Sequence, residues 1–438
     1  MKIAVFINQL GIGGTEKAAC EWARQLSLFP GSKGISVISM NDGPRKRDLD
    51  KAGIPVQIQS NPAGIAEALG GIDVIHAHAP GFPHAGDALG EALKLVKKKI
   101  PVVQTNIFGK LENPGENAWT DFRLFISWTS CVQTAQRSGL KLDLNFFKNQ
   151  SVASYPVSPL SEAEVAQLDI QALAFRESIG LLRDHVLFGR FSRPEPNKWT
   201  PMILPAFLDA HRKNSALRLL LREPPAQVAF DLRSANLVAL DQTSVGSCPI
   251  LILPATPDAH ELAVSQMACD VILHTSSIGE SFGYGIAEPM NLGKPVITNS
   301  VPWHDQAQLE LVRQGECGLI GSTVSSLKAA ILRMAEDRAC CEAFGESAKT
   351  HILSVADQMK STDRVKMAMR CAIENRVNPL AKQDLEKARE TAEYLDRNQW
   401  GHTLQEKLWL ESKAATIRFL RWQRQTRNGF KSIRNHFL

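Results

Sequence analysis

Two successive series of short apolar runs, each interleaved with helix-favouring stretches, constrain the fold of this chain more than any other feature. In the first, β-branched runs at 3–7, 35–39, 56–58, 72–76, 102–105 and 124–127 alternate with amphipathic segments, the pattern of a parallel sheet covered by helices. A second series follows at 186–188, 217–221, 250–253, 271–274 and 295–298. Between them, residues 158–180 are polar and helix-favouring and carry no strand signal. The expectation is an α/β chain of two Rossmann-like domains, 1–157 and 181–354, joined by a linker at 158–180. The two sheets face a cleft into which the carboxyl ends of their strands deliver loops. Past residue 354 strands stop: 355–375 reads as a crossover helix region and 376–438 as a helical, basic extension.

Composition removes several classes. With 44% hydrophobic and 22% charged residues the chain is neither disordered nor fibrous. No apolar run reaches the 18 residues of a membrane span, and the apolar start breaks at Asn8 and Gln9 rather than continuing as a signal-peptide core. A cytoplasmic protein is expected. The eight cysteines are scattered, without a CxxC pair of the kind a zinc or redox site needs. The formal charge of +5 is concentrated at one end: from Lys413 onward there are seven Lys and Arg and no Asp or Glu, so about −2 remains on the rest. A body of that charge offers no basic groove, which excludes a nucleic-acid partner.

Four stretches carry chemistry. The first, Gly11-Ile12-Gly13-Gly14-Thr15-Glu16, lies between the first strand and a helix whose apolar side is Ala19, Trp22, Ala23 and Leu26. Such glycines let a phosphate approach free N–H groups at a helix start, or simply turn the chain. As a dinucleotide fingerprint it fails, because Glu16 stands where the third glycine belongs. The second, Asp73 to His78, ends a strand with His76 and His78 on one face. No third ligand stands at metal-binding spacing, so His78 is read as a hydrogen-bond donor in the cleft, with a structural histidine as the alternative.

The third stretch, Gly189 to Trp199, supplies Arg190 and Lys198, with Arg193 as a third cation, where a leaving diphosphate would need fixed positive charge. A solvated loop is the alternative. The fourth runs from His274 to Ile297 as strand, loop, short helix, glycine stop and strand. It places Glu280 in the loop and Glu288 inside the helix, with the N–H groups of Phe282, Gly283 and Tyr284 facing an anion. Pro289 predicts a helix that is short or bent.

In this order the pieces resemble the retaining GT-B glycosyltransferases of glycosyltransferase family 4, the glycosyl transferases group 1. That family carries Gly-Gly-x-Glu in its first loop, a His-x-His near the fourth strand, an Arg and Lys pair opening the second domain, and a Glu-x7-Glu near its end. The matches are Gly13, Gly14 and Glu16; His76 and His78; Arg190 and Lys198; and Glu280 and Glu288, over residues 1–375. The resemblance implies transfer of a sugar from a nucleotide-diphosphate sugar to an acceptor hydroxyl with retained anomeric configuration. Arg190 and Lys198 would hold the diphosphate, Glu280 and His78 the donor sugar and Glu288 the ribose, while Gly13 and Gly14 admit the phosphates. No cofactor and no bound metal are implied, and Asp48 and Asp50 are given no metal role. A sugar-nucleotide epimerase and a catalytically silent GT-B binding module are the rival readings.

Residues 376–438 have no counterpart in the family. Within the tail, Phe419, Trp422, Phe430 and Phe437 interleave with cations, which suits a helix lying on an anionic membrane surface through 413–438, and hence a glycan or lipid-linked acceptor. A helix packed back on the first domain is the alternative. Loops 105–117 and 252–260 are expected to set specificity.

Overall fold

The computed structural model describes residues 1–78, 83–108, 119–238, 248–256, 258–418 and 420. The first domain contributes β1 (Lys2–Gln9), β2 (Gly34–Asn41), β3 (Val56–Ile58), β4 (Val74–His78), β5 (Val102–Asn106), β6 (Phe122–Phe125) and β7 (Gln150–Val152). They form one sheet in the order β3-β2-β1-β4-β5-β6-β7, every neighbouring pair parallel. Residues Ile3 to Ile7 of the central β1 are buried on both faces, which is why a continuous apolar run rather than an alternating one encodes this strand.

The second domain supplies β8 (Val186–Phe191), β9 (Leu217–Arg222), β10 (Ile250–Leu253), β11 (Val271–Leu273), β12 (Gly279–Glu280), β13 (Val296–Thr298), β14 (Asp305–Gln306) and β15 (Gly318–Ile320). Six of these form a parallel sheet, β10-β9-β8-β11-β13-β15, while β12 and β14 pair with each other beyond its carboxyl edge. The stretch between the domains is the helix Glu162–Ser178, started by a capping box in which Ser161 and Glu164 satisfy each other's backbone donors.

The chain crosses back to the first domain where Val157 N–H meets Ala356 O at 2.8 Å. The helix Gln358–Glu374 then packs on the first sheet, fixed by Trp22 Nε1 donating to Ser361 Oγ at 3.0 Å. The helix Ala381–Asn398 follows; it buries Leu385, Ala388 and Leu395 against Val132, Phe146 and Phe147 of the first domain. A last helix, over 404–418, returns to the second domain, where Glu406 accepts from Ser322 N–H at 2.8 Å. Of the basic tail, 419 and 421–438 lie outside the described residues, as do 109–117 of the loop 105–117 and 257 of the loop 252–260. Among the described residues no helix is long and apolar enough to cross a membrane.

Candidate active site

The carboxyl ends of β8 and β11 bring Arg190, Lys198, His274 and Glu280 together. Glu280 lies on β12, where Gly279 holds φ +63° and its missing side chain would strike the Asp305 carbonyl, so only glycine allows the strand to close on β14 there. The Glu280 carboxylate then has two charged or polar partners: Lys198 Nζ at 2.9 Å and His274 Nε2 at 3.1 Å. Its own N–H donates to Gln308 Oε1 at 2.9 Å. Burial alone would raise this carboxyl, but the His274 hydrogen bond and the Lys198 ammonium outweigh it and bring the pKa down to about 2. The group is ionised at every physiological pH, so His274 must donate to it through Nε2–H.

Arg190 is 1% exposed and lies beneath this cluster. Its guanidinium donates to Ser192 Oγ, to the Lys198 carbonyl and, at 3.2 Å, to the Thr275 carbonyl, and stacks 4.3 Å from the Trp199 ring. Burial lowers its pKa to about 9 against the pull of Glu280. Arg190 therefore fixes the loop that carries Lys198, while Lys198 presents the charge. Arg193 instead turns outward into a surface pair with Glu195 at 2.9 Å.

The helix Tyr284–Asn291 begins beside this cluster, with Gly283 in a left-handed conformation at its N-cap, next to the Glu280 side chain. It is eight residues long and contains Pro289. Glu288 on this helix pairs with Lys17 of the first domain, whose ammonium also lies 4.8 Å from the Tyr284 ring centre. Tyr284 in turn donates to the Pro156 carbonyl at 3.1 Å and stacks on Tyr155. A Cβ on Gly14 would come 3.2 Å from the Tyr284 ring, and one on Gly13 would strike the folded-back Glu16 carboxylate, itself held by Gln9 at 2.9 Å. Both glycines are thus explained by close packing around the Tyr284 and Glu16 side chains. The loop and helix that the sequence assigned to the diphosphate and ribose face one another directly.

His78 stands apart from these groups. It is fully buried, 4.3 Å from the His76 ring and 5.4 Å from Trp22, and among the described residues neither of its ring nitrogens has a hydrogen-bond partner. His76 shares that burial but bonds Thr105 Oγ1 at 2.8 Å. Burial, and for His78 its neighbour His76, keep both rings neutral, with His76 pushed down to about 3.

Two more contacts join the domains beside the site. Ser127 Oγ donates to the Ser281 carbonyl at 2.9 Å, and the Glu310 carboxylate accepts the Trp128 and Thr129 N–H groups at 3.3 and 2.8 Å. Sequence reasoning missed Lys17, His274, Gln308 and Glu310. Only Lys17 left a signal: a cation in the first turn of a helix opposes the macrodipole and asks for a partner. A cavity of about 590 Å³ also opens at the domain junction, lined by Trp128, Glu310, His351, Arg364, Lys387 and Tyr394. It contains none of Arg190, Lys198, Glu280 and Glu288. Among the described residues no group of three or more His, Cys, Asp and Glu could hold a metal ion.

Comparison with known proteins bears on this geometry. Residues 251–351, which include Glu280 and Glu288, match the family model described as Glycosyl transferases group 1. A sequence search of curated proteins finds no match. Among solved structures, the chain is similar to HepE of Anabaena in complex with UDP and glucose, with TM-score 0.64 at 18% identity over 84% of this chain and 99% of that one. A glycosyltransferase of Rickettsia africae gives TM-score 0.66 at 14% identity over 85% and 99%. The lipopolysaccharide outer core galactosyltransferase WaaB gives 0.59 at 13% over 84% and 99%. The architecture of this chain is accordingly the two-domain GT-B fold, extended at its carboxyl end by helices.

Proposed function

We propose that this chain is a glycosyltransferase that moves a sugar from a nucleotide-diphosphate sugar to an acceptor hydroxyl with retention of anomeric configuration. The observation that carries the reading is the buried Glu280 carboxylate, held ionised by Lys198 and His274 beside the start of the helix that bears Glu288. The group 1 match over the same residues supports it. In this reading Glu280 hydrogen-bonds the donor sugar, Glu288 the ribose hydroxyls, and Lys198 with the N–H groups around Gly283 neutralises the departing diphosphate. The bond from the anomeric carbon to the phosphate oxygen breaks, the acceptor oxygen adds on the same face, and its proton passes to the departing phosphate. No metal enters the proposed chemistry.

HepE was crystallised with UDP and glucose, which makes UDP-glucose the first donor to try, followed by guanosine and adenosine diphosphate sugars. Calorimetric titration with each nucleoside diphosphate, then release of that diphosphate in the presence of glycan acceptors, tests the reading. Tight binding with turnover that Glu280→Gln and Lys198→Ala each lower by roughly two to three orders of magnitude is expected. Donor isomerisation without acceptor would point to an epimerase, and binding without turnover under any acceptor to a silent module. Wild-type turnover in both variants would remove the site assignment.

A further inference from the structure

The carboxyl-terminal extension is built onto the active-site edge of the second domain. Ser300 Oγ, just past β13, donates to the Gln399 carbonyl at 2.6 Å, and Gln306 Nε2 donates to Gln399 Oε1 at 3.1 Å. Gln306 is the β14 residue paired with Glu280. Further along the extension, Glu406 is 2% exposed and caps both Ser322 N–H, past β15, and His402 N–H. The helix over 404–418 is thereby seated past β13 and β15, on the same carboxyl edge of the sheet as the Lys198–Glu280 cluster at β8 and β11.

That helix has two apolar faces. One, with Leu410 at 0% and Ala414 at 4% exposure, packs on the domain. About a third of a turn round from it, at 100° per residue, stand Leu404 at 74% and Leu408 at 58% exposure, four residues apart, with exposed Ala415 in line. Exposed Lys407 and Arg418 flank this face on one side, exposed Glu411 stands in line with Leu404, and after Glu411 the chain carries no acid to its end.

We propose that the outer face of helix 404–418 docks the enzyme on an anionic lipid bilayer, with Leu404 and Leu408 entering the acyl boundary and the basic residues from Lys407 onward meeting the headgroups. Charge chooses this occupant over a second copy of the chain, since pairing two such faces brings two sets of cations together. The active-site edge then turns toward the lipid. That the acceptor is itself lipid-anchored rests on the glycosyl-transfer reading; the docking does not.

Flotation of the full-length protein with phosphatidylcholine vesicles, with and without phosphatidylglycerol, tests this. Binding to the anionic vesicles only is expected, with the partition coefficient falling on the order of tenfold for each leucine replaced in Leu404→Ser and Leu404→Ser/Leu408→Ser. Both side chains are exposed, so thermal melting and nucleoside diphosphate affinity of the variants stay at wild-type values; loss of that affinity in the wild type as well would strike the catalytic reading alone. No binding to anionic vesicles overturns the docking. So does equal binding by the double variant, and so does a wild-type dimer in solution that the double variant abolishes.

Discussion

Glu280 is a carboxylate that burial should neutralise and that two donors keep charged. Its folded pKa of about 2 against an ordinary 4.5 means that the folded chain takes up this proton later than the unfolded one. The pair therefore adds stability above about pH 4.5 that is lost as pH falls from there toward 2. The amount is on the order of 3 kcal/mol. Glu280→Gln should flatten the fall in melting temperature across that window, and an unchanged pH profile would mean that the carboxylate is not held as described. His78 poses the opposite case, because a buried imidazole with no partner gains nothing for the fold. His78→Phe fills the same space with a ring that needs none. Its melting temperature should move by less than about 1 kcal/mol equivalent, while turnover should fall roughly a hundredfold if the ring meets the donor sugar. Full activity with unchanged stability would make His78 a packing residue.

At the scale of elements, how much of the structure the sequence revealed depended on how far each partner lies along the chain. The long buried strands β1, β2, β8 and β9 declared themselves as apolar runs, because parallel strands covered on both faces need apolar residues at most positions. The strands β7, β12, β14 and β15 are two or three residues long and leave no periodicity to read. Glu280 and Glu288 were legible because one strand-loop-helix stretch carries both; Lys17 pairs with Glu288 across 271 positions, and its place in a first turn asks for a partner without saying which. The helix Trp128–Arg137 shows the same limit. Its first N–H groups are capped by Glu310 of the other domain, a carboxyl that burial pushes up and the Thr129 and Trp128 hydrogen bonds pull back. Glu310→Ala leaves two buried donors without an acceptor and should cost about 2 kcal/mol in urea unfolding, whereas Glu310→Gln keeps an acceptor and sheds the ionisation penalty. Equal losses in both would mean that charge, not capping, holds the junction.

For the whole molecule, the consequence is that the proposed donor site draws on both domains. The carboxylate assigned to the ribose is aimed by a lysine of the opposite domain, and the tyrosine that opens its helix lies on Gly14 and donates to Pro156. The ion pair is partly exposed, so Lys17→Met should change stability by less than about 1 kcal/mol. Donor affinity is where the loss should appear: UDP binding measured by calorimetry weakens about tenfold, Lys17→Arg restores most of it, and turnover at saturating donor changes little. Gly14→Val reaches the same point from the other side, because its branched side chain must displace the Tyr284 ring, and should weaken UDP to a similar extent. Unchanged affinity in both variants would mean that the second domain binds the donor alone. Tighter binding in Lys17→Met would mean that the lysine competes with the ribose for Glu288, and that the domains must part before the donor enters.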